Sequence, residues 1–168
     1  MTISADMDLR IGHGYDVHRL AGGETLWLGG ILIPHSKGTV AHSDGDVLIH
    51  AICDALLGAV KKGDIGIHFP DTSQKYKNID SKILLEETNR LVNERGFKVV
   101  NIDTTIILQR PKLKELIPQM EKTIADILKI DSECISVKAT TTERLGFEGR
   151  EEGISAHAVV LLQRNRNC

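Results

Sequence analysis

Polar and apolar residues alternate from Leu9 to His18 (LRIGHGYDVH), the period-two pattern of a β-strand. Successive side chains on a strand point to opposite faces. Asp16 and His18 therefore share one face, with Gly12 and Gly14 behind them leaving room for a ligand. Ile11, His13, Tyr15 and Val17 form a less polar face, expected to pack against protein. Leu26-Trp27-Leu28 and Ile31-Leu32-Ile33 flank Gly29-Gly30, a hairpin pattern, because a tight two-residue turn needs the positive φ that glycine supplies. Pro34 ends the hairpin and leads into the loop that carries His42. From Asp44 to Val60 the apolar residues pair up at Val47/Leu48, Ala51/Ile52, Ala55/Leu56 and Ala59/Val60, the spacing of a helix with one buried stripe. Ser43 or Asp44 suits its N-cap.

Gly63 to Ser73 (GDIGIHFPDTS) is polar and irregular, either a ligand-facing lid or an ordinary connector. Ser81 to Arg95 reads as a second helix closed by Gly96. Lys98 to Gln109 is rich in β-branched residues and reads as a long strand. Leu113 to Ile130 has helical spacing again, its regular part confined to the later turns by Pro111 and Pro118. Cys134 to Ala139 and Ile154 to Gln163 complete the strands. The alternation predicts an α+β fold, a mixed sheet with helices packed on one face. Neither a Rossmann glycine fingerprint nor an internal repeat is visible.

The 168 residues suit a single domain over 1–168, with residues 1–8 expected to be a disordered extension. Twenty-one basic and 23 acidic residues leave a formal charge of −2. With no long basic tract, that balance argues against a nucleic-acid partner held through phosphates. No apolar run is long enough to span a bilayer, so no membrane partner is expected. The first ten residues resemble neither a secretory signal nor a transit peptide. The cysteines, Cys53, Cys134 and Cys168, are odd in number, widely spaced and outside any CxxC pair. They form no disulfide framework and suit a reducing, cytoplasmic compartment.

Asp16 and His18 from the strand, joined by His50 from the helix, offer one carboxylate and two imidazoles. That set suits zinc with a fourth position left for water or substrate. His42, Ser43, Asp44 and Asp46 crowd polar groups before the helix, more than a cap requires. Asp46, His50 and Asp54 recur every four residues and share a stripe. Either aspartate can accept the second ring N–H of His50, or both are simply solvated. Thr140-Thr141-Thr142-Glu143 follows a strand end, with Lys138 just before it. It suits phosphate oxygens, or is a strand terminus with threonines chosen for propensity. Arg110-Pro111-Lys112 is a rigid basic corner, for phosphate contact or as plain surface charge. His13, His35, His68 and His157 have no partner at ligand spacing and read as structural. The inventory suits phosphoryl or acyl transfer on a small anionic substrate, and the residues do not decide between the two.

Beyond these local patterns the chain resembles the 2-C-methyl-D-erythritol 2,4-cyclodiphosphate synthases of the non-mevalonate isoprenoid pathway. The matching stretches are RIGHGYDVH from Arg10, AHSDGDVLIHAICDALLGA from Ala41, GDIGIHFPDTS from Gly63 and DSKILL from Asp80. NIDTTIILQRPKL from Asn101, IPQM from Ile117 and VKATTTERLGFEGREEGI from Val137 follow in the family's order. The resemblance implies a ferredoxin-like α+β sandwich assembled as a homotrimer, with three active sites between neighbouring subunits. It implies that the diphosphocytidyl-methylerythritol 2-phosphate substrate is cyclised by its own phosphate, releasing CMP.

Carried over by position, Asp16, His18 and His50 are the zinc ligands, and His42 and Thr141 stabilise the transition state. A second divalent cation, magnesium or manganese, bridges substrate phosphates. Asp64 and Gly66 match ribose contacts, with Ile65 between them and Ser43 beside His42 as further substrate contacts. Phe69, Pro70, Asp71, Thr72 and Ser73 match the loop over the erythritol end. Leu108, Gln109, Arg110, Pro111, Lys112, Leu113 and Lys114 match the cytidine and phosphate pocket, together with Thr140, Thr141, Thr142 and Glu143. The His13/Tyr15 face would turn toward the threefold axis. Phe147 and Arg150 match a central cavity where some members hold isoprenoid diphosphates. Two departures stand out: Ser73 where many members carry Asp, which bears on loop closure, and His157 where some carry Glu, which leaves cavity binding open.

Overall fold

The strand that carries Asp16 and His18 is longer than the alternation suggests. In the computed structural model, which describes residues 8–70 and 72–165, β1 spans Leu9–Gly22. Of the expected N-terminal extension only Asp8 is described, and Asp71 and Cys168 lie outside the described residues. The chain continues through β2 (Leu26–Leu28), β3 (Ile31–Ile33), β4 (Lys37–Val40), α1 (Val47–Ala59), α2 (Ile65–His68) and α3 (Ser81–Glu94). It ends with β5 (Phe97–Ile107), α4 (Ile117–Leu128), β6 (Ile135–Thr140), α5 (Gly146–Gly149) and β7 (Gly153–Arg164). Five strands form one mixed sheet in the order β4-β1-β7-β5-β6. β1 runs antiparallel to β7 from Leu9↔Gln163 to Arg19↔Gly153, β5 antiparallel to β7, and β6 parallel to β5. Gly29 and Gly30 turn the separate β2-β3 hairpin with φ of 60° and 76°, the expected pair of positive angles. β4 was hidden in the loop after Pro34; its four residues, KGTV, are too short and too polar to show a period.

Alternation along the strands puts one face of the sheet under the helices and leaves the other open. Ile102, Ile106, Ala156, Ala158 and Val160 are fully buried against the helical layer. On the opposite face Ile11 is 73 % exposed and Tyr15, Val17 and Val159 nearly half exposed. The expectation that this face of β1 packs against protein is not met within one chain, because the helices cover only the other side. Among the described residues, no helix is long and apolar enough to cross a membrane.

What fills the space above Gly12 and Gly14 is not a ligand but α1. A Cβ on Gly12 would lie 1.8 Å from the Ala55 carbonyl oxygen, and one on Gly14 1.9 Å from that of Ala51. Both are far inside van der Waals contact. The glycines thus let the helix backbone rest directly on the strand, aided by Ala156 and Ala158 on neighbouring β7. The start of α1 is fixed from the other side. Its N-cap is Asp46, not Ser43 or Asp44. The buried Asp46 carboxylate accepts from Ile49 N–H (3.0 Å), Gly29 N–H (3.0 Å) and Gly30 N–H (2.7 Å), tying the hairpin to the helix. Burial raises its pKa, against the lowering effect of those donors. A single carboxylate therefore caps one element and locks the turn of another.

Replacing Gly14 by Ala is expected to destabilise the protein by about 3 kcal/mol or more, since the added carbon meets backbone that has nowhere to move. Gly22→Ala, also in β1 but with nothing within 4 Å of the added carbon, should stay within ~0.5 kcal/mol of the parent. Denaturant midpoints of the two variants measure the difference.

Candidate metal centre and active site

Beyond Gly14 the same face of β1 presents Asp16 and then His18, and the seated helix brings His50 over them. Asp16, His18 and His50 each offer a donor atom, all within 4.8 Å of one another. Asp16 Oδ2 lies 3.0 Å from His18 Nδ1 and 3.0 Å from His50 Nδ1. Ligands of a tetrahedral ion with ~2.0–2.1 Å bonds sit about 3.3 Å apart, so the cluster has the right dimensions for one. His18 Nδ1 is buried and, despite its closeness to Asp16, makes no hydrogen bond of acceptable direction. A nitrogen that faces a carboxylate oxygen without bonding to it is what two ligands of a shared ion look like. The residues fit a metal of zinc's preferences.

The ring of His50 is set from behind by Ser81. The Ser81 hydroxyl donates to Asp44 in a short hydrogen bond, and the Ser81 amide donates to the other Asp44 oxygen at 2.8 Å. With its proton committed, Ser81 Oγ accepts from His50 Nε2 at 2.9 Å, and Ser43 Oγ lies 3.3 Å from the same nitrogen. Nε2 therefore keeps its hydrogen, and Nδ1 is the nitrogen offered toward Asp16 and a metal. Asp46 and Asp54 neither hold His50 nor stand simply solvated: Asp46 caps α1 and Asp54 accepts from Ile65 N–H at 2.7 Å. Periodicity along α1 put all three residues on a stripe, but the partner came from the start of α3, far away in sequence. Nothing local marks Ser81 beyond its place after the α3 N-cap, Asp80.

Charge in the cluster is balanced by proximity. Burial alone would raise the pKa of Asp16, but the positive charge of nearby His18 and His50, with the His50 hydrogen bond, outweighs it and holds the carboxyl at about 2. Burial likewise opposes protonation of His50, yet the Asp16 hydrogen bond prevails and its pKa is raised. Cys53, one turn beyond His50, is fully buried, and burial pushes its thiol up to about 12. It is a core residue, not a thiolate ligand.

His18 and His50 line a cavity of about 210 Å³ that also holds His42, Ser43, Ile65 and Phe69. His42 Nε2 sits 3.3 Å from the Ser73 carbonyl oxygen, so the loop after α2 closes over that histidine. The Gly63 to Ser73 segment carries the short α2, N-capped by Asp64, which accepts from Ile67 N–H. Gly66 lies within that turn, and Pro70 and Thr72 follow it. Leu108 to Lys114, with Thr140 and Thr141, line a second, larger cavity of about 740 Å³. The two cavities share no lining residue. Arg144 N–H donates to Gln109 Oε1 at 3.3 Å and Leu108 N–H to the Thr140 carbonyl at 3.0 Å. The threonine turn and the Arg110-Pro111 corner are therefore one wall. Thr141 Oγ1 bonds Glu143 Oε1 at 3.2 Å, and Thr142 Oγ1 makes a short bond to the Leu145 carbonyl. Of the cations near this wall, Arg110 lies 3.6 Å from Glu151 and Lys138 is bound by Asp103. His35, read as structural, also lines the second cavity, and its Nε2 is buried without a partner. Phe147 and Arg150 stand in neither cavity; Arg150 is held by both oxygens of Glu152.

Residues 9–163 match the model of the YgbB family. The chain belongs to that family. A family relative from Parabacteroides distasonis, named 2-C-methyl-D-erythritol 2,4-cyclodiphosphate synthase, is 61 % identical over 158 residues, covering 94 % of this chain and 98 % of its own. Among solved structures, the bifunctional IspDF from Campylobacter jejuni superposes with a TM-score of 0.91 at 45 % identity, over 95 % of this chain and 43 % of that one. The Plasmodium falciparum IspF in complex with CDP gives 0.84 at 34 % identity, over 96 % and 100 %. The family resemblance read from the motifs is thus confirmed, and the protein is an enzyme of that family.

Two measurements probe this geometry. Ser81→Ala should weaken zinc binding roughly 10–100-fold while leaving the fold intact, as loss of an orienting partner does; equilibrium dialysis reads it. Because Asp16 raises the metal-free pKa of His50, a proton competes with metal for Nδ1 more strongly than at a free imidazole. Calorimetry in buffers of different ionisation enthalpy should show proton release, with affinity falling about tenfold per pH unit below that raised pKa.

Proposed function

We propose that the chain converts 4-diphosphocytidyl-2-C-methyl-D-erythritol 2-phosphate to 2-C-methyl-D-erythritol 2,4-cyclodiphosphate and CMP, as a metal-dependent phosphorus–oxygen lyase. The observation that carries this reading is the Asp16/His18/His50 cluster beside His42, in a chain 61 % identical to a synthase of that name. Three protein donors are the catalytic rather than the structural pattern for zinc, the fourth position going to a substrate oxygen. When bound, zinc polarises a phosphate oxygen, and a second cation, magnesium or manganese, offsets the charge of the facing phosphates.

The protein's own groups do the positioning. Asp16 and the two histidines hold the metal end, and Ser81 fixes the ring of His50. His42, beside them, donates to a phosphate oxygen as charge develops there. Thr141 and the turn from Thr140 to Glu143 present hydroxyl and amide donors to the diphosphate. The wall from Leu108 to Lys114 takes the cytidine; the relative solved with CDP supports a nucleotide in this family's site. Asp64 to Gly66 contact the ribose, and the loop from Phe69 to Ser73, Asp71 included, covers the erythritol. Held in line, the 2-phosphate attacks the nearer phosphorus of the diphosphate as an intramolecular step, an advantage that can approach ~7–11 kcal/mol.

The working unit in this reading is a homotrimer of single-domain, ferredoxin-like protomers, with each site between neighbours. In support, the metal end and the nucleotide wall share no lining residue within one chain, so a neighbour's wall would complete each metal end. The exposed face of Ile11, Tyr15, Val17 and Val159 would be covered around the threefold axis. An isoprenoid diphosphate on that axis would require Arg150 to give up its pair with Glu152. The free thiols of Cys53 and Cys134 suit a cytoplasmic setting.

Mass spectrometry of the products tests the reaction. CMP and the cyclic diphosphate should appear together, stop with chelator, and carry no oxygen from labelled water; labelled products would indicate hydrolysis instead. His50→Ala should lose zinc and CMP release while staying folded. Thr141→Val should reduce turnover more than metal affinity, and unchanged turnover would remove Thr141 from the transition state.

A further inference from the structure

The open face of the sheet carries a second pair of imidazoles that the proposed reaction does not use. His157 lies directly across from Tyr15, and His13 directly across from Val159, so the two histidines are diagonal neighbours on one face. Asp16 and His18 point to the other face, under α1. His13 Nε2 and His157 Nδ1 are 3.2 Å apart. The rings stack at 28° with centroids 5.4 Å apart, and Tyr15 leans on His157 with centroids 4.8 Å apart. Within one chain both histidines are exposed, amid the apolar Ile11, Val17 and Val159. The carboxylate on this side of β5, Asp103, is already bound by Lys138 at 2.6 Å.

We propose that His13 and His157 form a second metal site, a two-imidazole clip for a divalent transition-metal ion such as Ni²⁺, Cu²⁺ or Zn²⁺. The separation of the two nitrogens matches the roughly 3.3 Å edge expected for two ring nitrogens on an ion with bonds of about 2.0–2.1 Å. Imidazole is the ligand these ions favour, whereas Mg²⁺ and Ca²⁺ seek oxygen. Each histidine is anchored in the middle of a strand, and β1 and β7 are hydrogen-bonded throughout this stretch. The separation is therefore set before the ion arrives, and Tyr15 braces one of the rings. In the absence of metal the pair shares one N–H···N hydrogen bond; binding replaces it, one ring turning to its other tautomer so that both nitrogens offer lone pairs. Water or an anion completes the shell, or a second clip where copies of the chain meet on this face.

The site does not depend on the proposed reaction, and its test has a separate readout. Untagged protein, loaded with one zinc at Asp16/His18/His50, is titrated with Ni²⁺ and followed by calorimetry and equilibrium dialysis. The parent should take up Ni²⁺ beyond its zinc. His13→Ala, and His157→Gln, which keeps a polar group of similar size beside Tyr15, should each weaken that uptake on the order of a hundredfold, the loss expected when a chelate becomes a single contact. Zinc content at Asp16/His18/His50, on the opposite face of the sheet, should not move. Ni²⁺ uptake equal in the parent and both variants, or none in the parent, overturns the site.

Discussion

The contact on which the site depends is that between two glycines and a helix backbone. With Gly12 and Gly14 facing the carbonyls of Ala55 and Ala51, α1 sits closer to the sheet than any side chain would permit. That approach lets His50 Nδ1 come within 3.0 Å of Asp16. Interiors pack too densely to absorb even one added methyl group at such a place, so the Asp16/His18/His50 cluster tolerates little variation beneath it. Asp46 acts at the other end of the constraint, fixing where the helix begins and pinning the hairpin against it. The strand supplies the height and the cap supplies the rotation and register, and between them the position of His50 is determined.

Around that frame the polar groups are arranged by commitment of protons. Asp44 takes both hydrogens that Ser81 has to give, which forces Ser81 to accept from His50. The imidazole is then left with one nitrogen free for chemistry. The same economy is visible at the far wall, where Gln109, Thr140 and Arg144 tie two separate loops into one surface. Behind His50 the bracing groups, Asp44 and Ser81, are short side chains, which lose little freedom when they are fixed.

The features legible in the residues were those written in short-range spacing. The hairpin followed from Gly29-Gly30, α1 from its paired apolar positions, and the meeting of Asp16, His18 and His50 from Asp-x-His plus a histidine in a polar cluster. Features that depend on distant contacts were misread or missed. Gly12 and Gly14 looked like room for a ligand because a strand's sequence does not say what lies above it. Ser43 and Asp44 looked like caps because all the candidates are adjacent, and only the hairpin's need for an acceptor singles out Asp46. Ser81 was invisible as a partner of His50, being thirty-one positions away. The His13–His157 contact was invisible too, since it arises from the pairing of the first strand with the last.

That same pairing has a consequence for how the protein comes into being. The segment holding Asp16 and His18 finds its hydrogen-bonding neighbour, with His18 opposite Ile154, only when residues 153–164 have been synthesised. At ~5–20 residues per second, the interval on a ribosome is on the order of 10 s. Throughout it β1 lacks its long neighbour and the bed on which α1 rests is only half laid. The Asp16/His18/His50 cluster, though encoded in the first third of the chain, can be completed only near the close of translation, so a ribosome that stops before β7 would release a product without it.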